Sequence, residues 1–83
     1  MAHQRTEEIN WREISIEEIL ELAIADEEDA REYYKRAADL AGAPHTRRML
    51  LALSEMEQGH AEQLRKELDD LQAQRDLEVG LAD

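Results

Sequence analysis

A single helix-breaking segment, Gly42-Ala43-Pro44, divides this chain in two. The flanking sequence is rich in Ala, Glu and Leu, and Pro44 is the only proline among 83 residues. Those residues are strong helix formers, and no stretch alternates apolar and polar in the manner of a half-buried strand. Gly suits the position just past a helix end, and Pro suits the first turn of the next helix. Ser15 and Glu18 form an S-x-x-E capping box ahead of the first apolar-periodic run. The pattern predicts one helix within segment 15–42, from about Ile16 to Ala41, and a second over 44–75. Residues 1–14 read as a polar arm, with Trp11 as the candidate to dock on the core. Residues 76–83 read as a frayed end and a short tail. Gly59 lies inside the second helix, where it costs about 1 kcal/mol relative to Ala, and an interior Gly can mark close approach of something bulky.

The short connection makes the two helices antiparallel neighbours. The expected fold is all-α: a single domain, 1–83, built as an antiparallel two-helix hairpin. A hairpin buries one side of each helix, so its remaining apolar surface must meet another copy. Two hairpins make a four-helix bundle, the smallest arrangement that closes such a core.

Composition narrows the chemistry. Cys is 0, which excludes disulfides, thiolate metal sites, iron–sulfur clusters and Cys nucleophiles. Asp+Glu is 21 against Lys+Arg 10, a formal charge of -11. That balance argues against nucleic acid and anionic membrane surfaces as partners and permits cations. Aromatics are 4% and Phe is 0, so the core must be aliphatic. No apolar run approaches a membrane span, and residues 1–5 offer no signal-peptide stretch, so a cytoplasmic location is expected.

The helical seams carry the informative residues. In the first helix, Ile16, Leu20, Ala23, Glu27, Ala30, Tyr34, Ala37 and Ala41 recur at steps of four and three. In the second, Leu50, Leu53, Glu57, His60, Leu64 and then Leu68 or Leu71 do the same. Only Glu27, Glu57 and His60 are ionisable intruders near the helix middles. An unpartnered buried carboxylate is costly, so three such residues call for a common explanation. Antiparallel helices bring their middles to similar heights, so Glu27 should approach Glu57 and His60. Glu57 and His60 stand at i and i+3 on one face and can bind one cation or adjacent cations. Two chains would supply four Glu and two His. That is the known ligand set of di-iron and di-manganese carboxylate bundles: a Glu from each of two helices and Glu-x-x-His from each of the other two. Carboxylate with imidazole suits iron, manganese or zinc, and oxygen chemistry selects iron.

Alternatives stand beside that reading. His60 can be a core histidine paired with Glu57, and Glu27 a polar seam residue that sets register or oligomeric state. Tyr34, seven residues beyond Glu27, can hydrogen-bond a ligand carboxylate or simply fill the core. Glu28 looks solvent-facing, as do Asp26 and Asp29. Met49 and Met56 read as core, and His3 and His45 receive no role. The alternative function is a non-enzymatic dimerisation module, metal-stabilised or metal-free.

The segment Glu27-Glu28-Asp29-Ala30-Arg31-Glu32-Tyr33-Tyr34 resembles the E-x-x-A-R-x-x-Y segment of rubrerythrin-type helices. Glu57-Gln58-Gly59-His60-Ala61 resembles the matching E-x-x-H-A segment. Together, over about Ile16–Leu71, they resemble half of a ferritin-like domain, closest to the single-hairpin branch that includes the encapsulated ferritins. The resemblance implies a ferritin-like four-helix bundle made by two chains, with one di-iron site at their interface. It implies Glu27, Glu57 and His60 as iron ligands and Tyr34 close by as a fourth catalytic residue. The implied activity is ferroxidase, Fe(II) oxidation by dioxygen or peroxide for iron storage or detoxification. Residues 77–81, Leu-Glu-Val-Gly-Leu, faintly resemble the peptide that targets encapsulated ferritins to an encapsulin-like shell protein.

Overall fold

The computed structural model describes residues 8–82, apart from the side chains of residues 79, 81 and 82. Two antiparallel helices fill it, α1 over Ile16–Leu40 and α2 over Pro44–Ala82. Among the described residues there is no strand and no helix long and apolar enough to cross a membrane.

The capping box starts α1. Ser15 is extended, at φ -84° and ψ 160°, and its Oγ accepts from the Glu18 N–H at 3.0 Å. The Glu18 carboxylate accepts from the Ser15 N–H at 3.5 Å. Two otherwise orphaned donors are thereby satisfied, and Glu17 and Glu18 lie at the positive end of the helix dipole. At the other end, Ala41 is extended, its N–H bonds to the Ala38 carbonyl, and its own carbonyl accepts from Arg47 Nη2 at 2.9 Å. Gly42 has no positive φ, so the break does not use the left-handed turn that glycine would allow. Pro44, which lacks an N–H, opens α2 where that donor would have been orphaned, and the Arg47 N–H bonds the Ala43 carbonyl at 3.0 Å.

Three features differ from the sequence expectation. First, α2 does not stop at Arg75 but continues to Ala82, so residues 77–81 are helical. Nothing in residues 76–82 breaks a helix as a proline would, and Arg75 ties the approach to α1 through an ion pair with Glu17. Beyond that pair α2 outruns α1. Second, Trp11 is 60% exposed and does not dock. The arm turns at Asn10, whose carbonyl accepts from the Glu13 and Ile14 N–H groups, and Ile9 and Ile14 are half-buried there. Third, a Cβ on Gly59 would meet nothing within 4 Å, so no bulky group approaches it within the hairpin.

The line of contact between the helices is also displaced from the expected seam. The buried residues are Ile24 and Ala38 on α1 and Ser54 and Ala61 on α2. Each lies one residue beyond a seam member: Ala23, Ala37, Leu53 and His60. Small side chains at Ala38, Ser54 and Ala61 let the backbones approach, and Leu20, Tyr34, Leu50, Leu53, Leu64 and Leu68 flank that line half-covered. The molecule measures 61 × 26 × 11 Å, one helix diameter thick, and among the described residues no large side chain is fully buried. Ile16, Met49 and Met56 remain 61%, 49% and 48% exposed. So much uncovered apolar side chain leaves the hairpin with little core of its own.

Candidate metal centre

The three ionisable intruders do meet. Glu27 projects from the middle of α1, and Glu57 and His60 from one face of α2. His60 Nδ1 lies 3.5 Å from Glu27 Oε2 and 3.7 Å from Glu57 Oε2. The i,i+3 spacing brings Glu57 and His60 together, and the hairpin brings Glu27 to them. Glu57 is the most covered of the three, with its side chain 15% exposed, whereas the His60 side chain is 49% exposed. The cluster is therefore closed on the α1–α2 side and open on the other.

The electrostatics leave the cluster short of positive charge. The Glu27 pKa is raised above 4.5. Hydrogen bonding to the Glu57 carboxyl is the largest cause, followed by burial and the Glu57 charge, while His60 pulls in the opposite direction. Two carboxylates at one site resist double ionisation, and a cation between them removes that resistance. Glu27 Oε2 is shielded from solvent and faces His60 Nδ1 at 3.5 Å.

The donor set fits a divalent metal. Imidazole nitrogen and carboxylate oxygen bind a transition ion at about 2.0–2.2 Å, so two ligands of one ion stand at most about 4.4 Å apart. The 3.5 and 3.7 Å spacings lie within that span. Among the described residues, Glu27, Glu57 and His60 form the acidic and imidazole group whose ligand atoms all lie within 4.8 Å of one another.

Other expected participants fall differently. Tyr34 is half-buried and meets Tyr33 edge-on, ring centroids 5.5 Å apart. Among the described residues no hydrogen bond joins it to the cluster. Glu28 faces outward, as expected, and forms an ion pair with Arg65. His45 is exposed, and His3 lies outside the described residues. One neighbour was not anticipated. Ser54, 5% exposed, donates from Oγ to the Arg31 carbonyl at 3.1 Å, crossing between the helices beside the cluster. Its sequence signal is a small polar residue three positions before Glu57, on the same helix face.

Comparison with known proteins agrees with this geometry. The rubrerythrin family model matches residues 18–82, which covers both helices and all three cluster residues. No curated protein and no solved structure matches the chain. A match over most of the sequence, with glutamates and a histidine convergent at the helix middles, shows that the chain belongs to the rubrerythrin family, whose members carry a di-iron ferritin-like domain.

Proposed function

We propose that this chain is a di-iron ferroxidase whose centre is completed by a second copy of the hairpin. The observation that carries this reading is the cluster itself: Glu27, Glu57 and His60 convergent, with a solvent-shielded Glu27 oxygen facing His60 and one open side. Three ligands from one chain leave an ion under-coordinated. A two-fold partner docked on the open side would supply the same three again, giving four Glu and two His for two ions.

The apolar surface supports the same docking. Met49, Met56 and His60 follow one another at steps of seven and four on α2, so they share a flank. Both methionines are about half exposed there. Covering that flank with an identical hairpin buries the methionines and closes the site in one step.

The iron ions are the substrates. Each Fe(II) gives up one electron; dioxygen takes two electrons and two protons and leaves as hydrogen peroxide, or peroxide takes them and leaves as water. The residues of this chain bind and orient. Glu27 and Glu57 hold the ions and offset the higher charge of Fe(III), and His60 supplies the neutral nitrogen donor. A surface with a formal charge of -11 concentrates Fe(II) around the molecule.

The test is aerobic addition of Fe(II) followed by Fe(III) absorbance, for wild type, Glu57→Ala and His60→Ala. The proposal expects rapid oxidation by wild type alone. Oxidation by wild type no faster than a protein-free blank would end the ferroxidase reading. A monomer by light scattering in the presence of metal would end the shared-site reading.

A further inference from the structure

We infer that Ser54 is a positioning residue for the Glu27–Glu57–His60 centre, holding the two helices at the one relative height at which these side chains converge. This rests on the metal-site reading and adds a residue to it.

A serine buried within a helix ordinarily satisfies its hydroxyl on its own helix, at the carbonyl four residues back. Ser54 does not do so. Its Oγ donates across the interface to the Arg31 carbonyl at 3.1 Å. Arg31 lies one turn beyond Glu27, about 6 Å along the axis, and Ser54 lies about 4.5 Å before Glu57. Because the helices are antiparallel, both displacements run toward the connecting segment. The hydrogen bond therefore crosses at one level, one turn from the centre, and links the helix that carries Glu27 to the helix that carries Glu57 and His60.

On the far side of the centre stand Ile24, three residues before Glu27, and Ala61, four residues after Glu57. Both are buried, at 8% and 3% exposed. Apolar contact excludes water but has no direction, so by itself it permits axial slippage. A hydrogen bond weakens steeply as its geometry departs from linear, so it resists such slippage. The ion pairs Arg65–Glu28 and Arg75–Glu17 also cross between the helices, but both arginines are more than half exposed on long, flexible side chains. Ser54 is short, shielded from water and bonded to backbone, so it transmits little play. The ligand oxygens need their spacing held to a fraction of an ångström for one ion to reach all three donors.

The experiment compares Ser54→Thr with Ser54→Val, side chains of matching shape that differ in the hydroxyl. Co(II) is the probe, titrated anaerobically into full-length protein. Its visible absorption reports ligand geometry, and circular dichroism of the apoprotein reports folding. The expected result is that Ser54→Thr keeps affinity near wild type while Ser54→Val loses about tenfold, the lower end of what outer partners of metal ligands contribute. The cobalt spectrum of Ser54→Val should also shift. Should the valine variant fail to fold, Ser54→Ala replaces it in the same comparison with threonine. Equal affinity and identical spectra for the variants with and without the hydroxyl would overturn the inference and leave the metal site standing. No Co(II) binding by wild type would overturn both.

Discussion

Glu27 and Glu28 are neighbours in sequence with opposite fates. Glu28 meets the Arg65 guanidinium of α2, so its charge is matched within the chain. Glu17, in the first turn of α1, is matched in the same way by Arg75. Glu27 meets a second carboxylate and an imidazole, and its ion-pair partner among the described residues is His60. A carboxylate with a built-in cation is an ordinary crossing contact. A pair of carboxylates facing a histidine lacks a charge, and the missing charge has to come from outside. The 100° that separates consecutive residues on a helix is what assigns one glutamate to each environment.

The largest effects should follow from removing a donor of the uncompensated set. Glu57→Ala and His60→Ala should weaken metal binding by more than the ~10–100-fold lost when an outer partner of a ligand is removed. Calorimetric titration with Mn(II) measures this. Equivalent changes at the compensated set, Glu28→Gln or Arg65→Ala, should leave the titration unchanged, and a comparable loss there would erase the distinction.

Metal should next act on stability. A ligand that binds only the folded state stabilises it by about 2.7 kcal/mol at one hundred times its Kd. The thermal midpoint of wild type should therefore rise with Mn(II) concentration, while that of His60→Ala stays flat.

A smaller effect concerns protons. The Glu27 pKa in the folded apoprotein lies above its ordinary 4.5, chiefly through its hydrogen bond to Glu57. The folded chain thus holds this proton more tightly than the unfolded chain does. The resulting stabilisation is complete below pH 4.5 and disappears as pH rises through the raised value. Glu27→Gln never ionises. Melting both apoproteins from acid to neutral pH should show wild type losing ground to Glu27→Gln as pH rises; parallel curves would contradict the raised pKa.

The smallest effect belongs to the compensated pairs. The Arg65–Glu28 contact is about half exposed on both sides, where such pairs contribute ~0–1 kcal/mol. Arg65→Ala should lower the apoprotein midpoint slightly, and salt should shrink the difference.

Much of this was legible in the residues. The Ser15–Glu18 box fixes where α1 begins, and the Gly42-Ala43-Pro44 break fixes where α1 ends and α2 begins, because both act through local backbone groups. Glu57 and His60 share a face by spacing alone. The axis of contact was less legible. A seam counted by apolar residues passes through Ala23 and His60, whereas packing selects Ile24, Ala38, Ser54 and Ala61. At Ala38, Ser54 and Ala61 close approach of two helices rewards small size, which hydropathy does not register. Trp11 misled for a related reason: its apolar bulk suggested docking, but the turn at Asn10 directs the arm through Ile9 and Ile14.

The sequence by itself determined an acidic, cysteine-free helical hairpin and named the three side chains that interrupt its apolar stripes. Periodicity and capping are local, so they survive without knowledge of the partner helix. Only the tertiary structure decided that Glu28 takes an arginine from α2, that Ser54 reaches across to Arg31, and that α2 outruns α1 to Ala82. Those outcomes depend on the relative height and rotation of two rigid rods. Height and rotation are set by contacts between residues far apart in the chain, and no local pattern contains them.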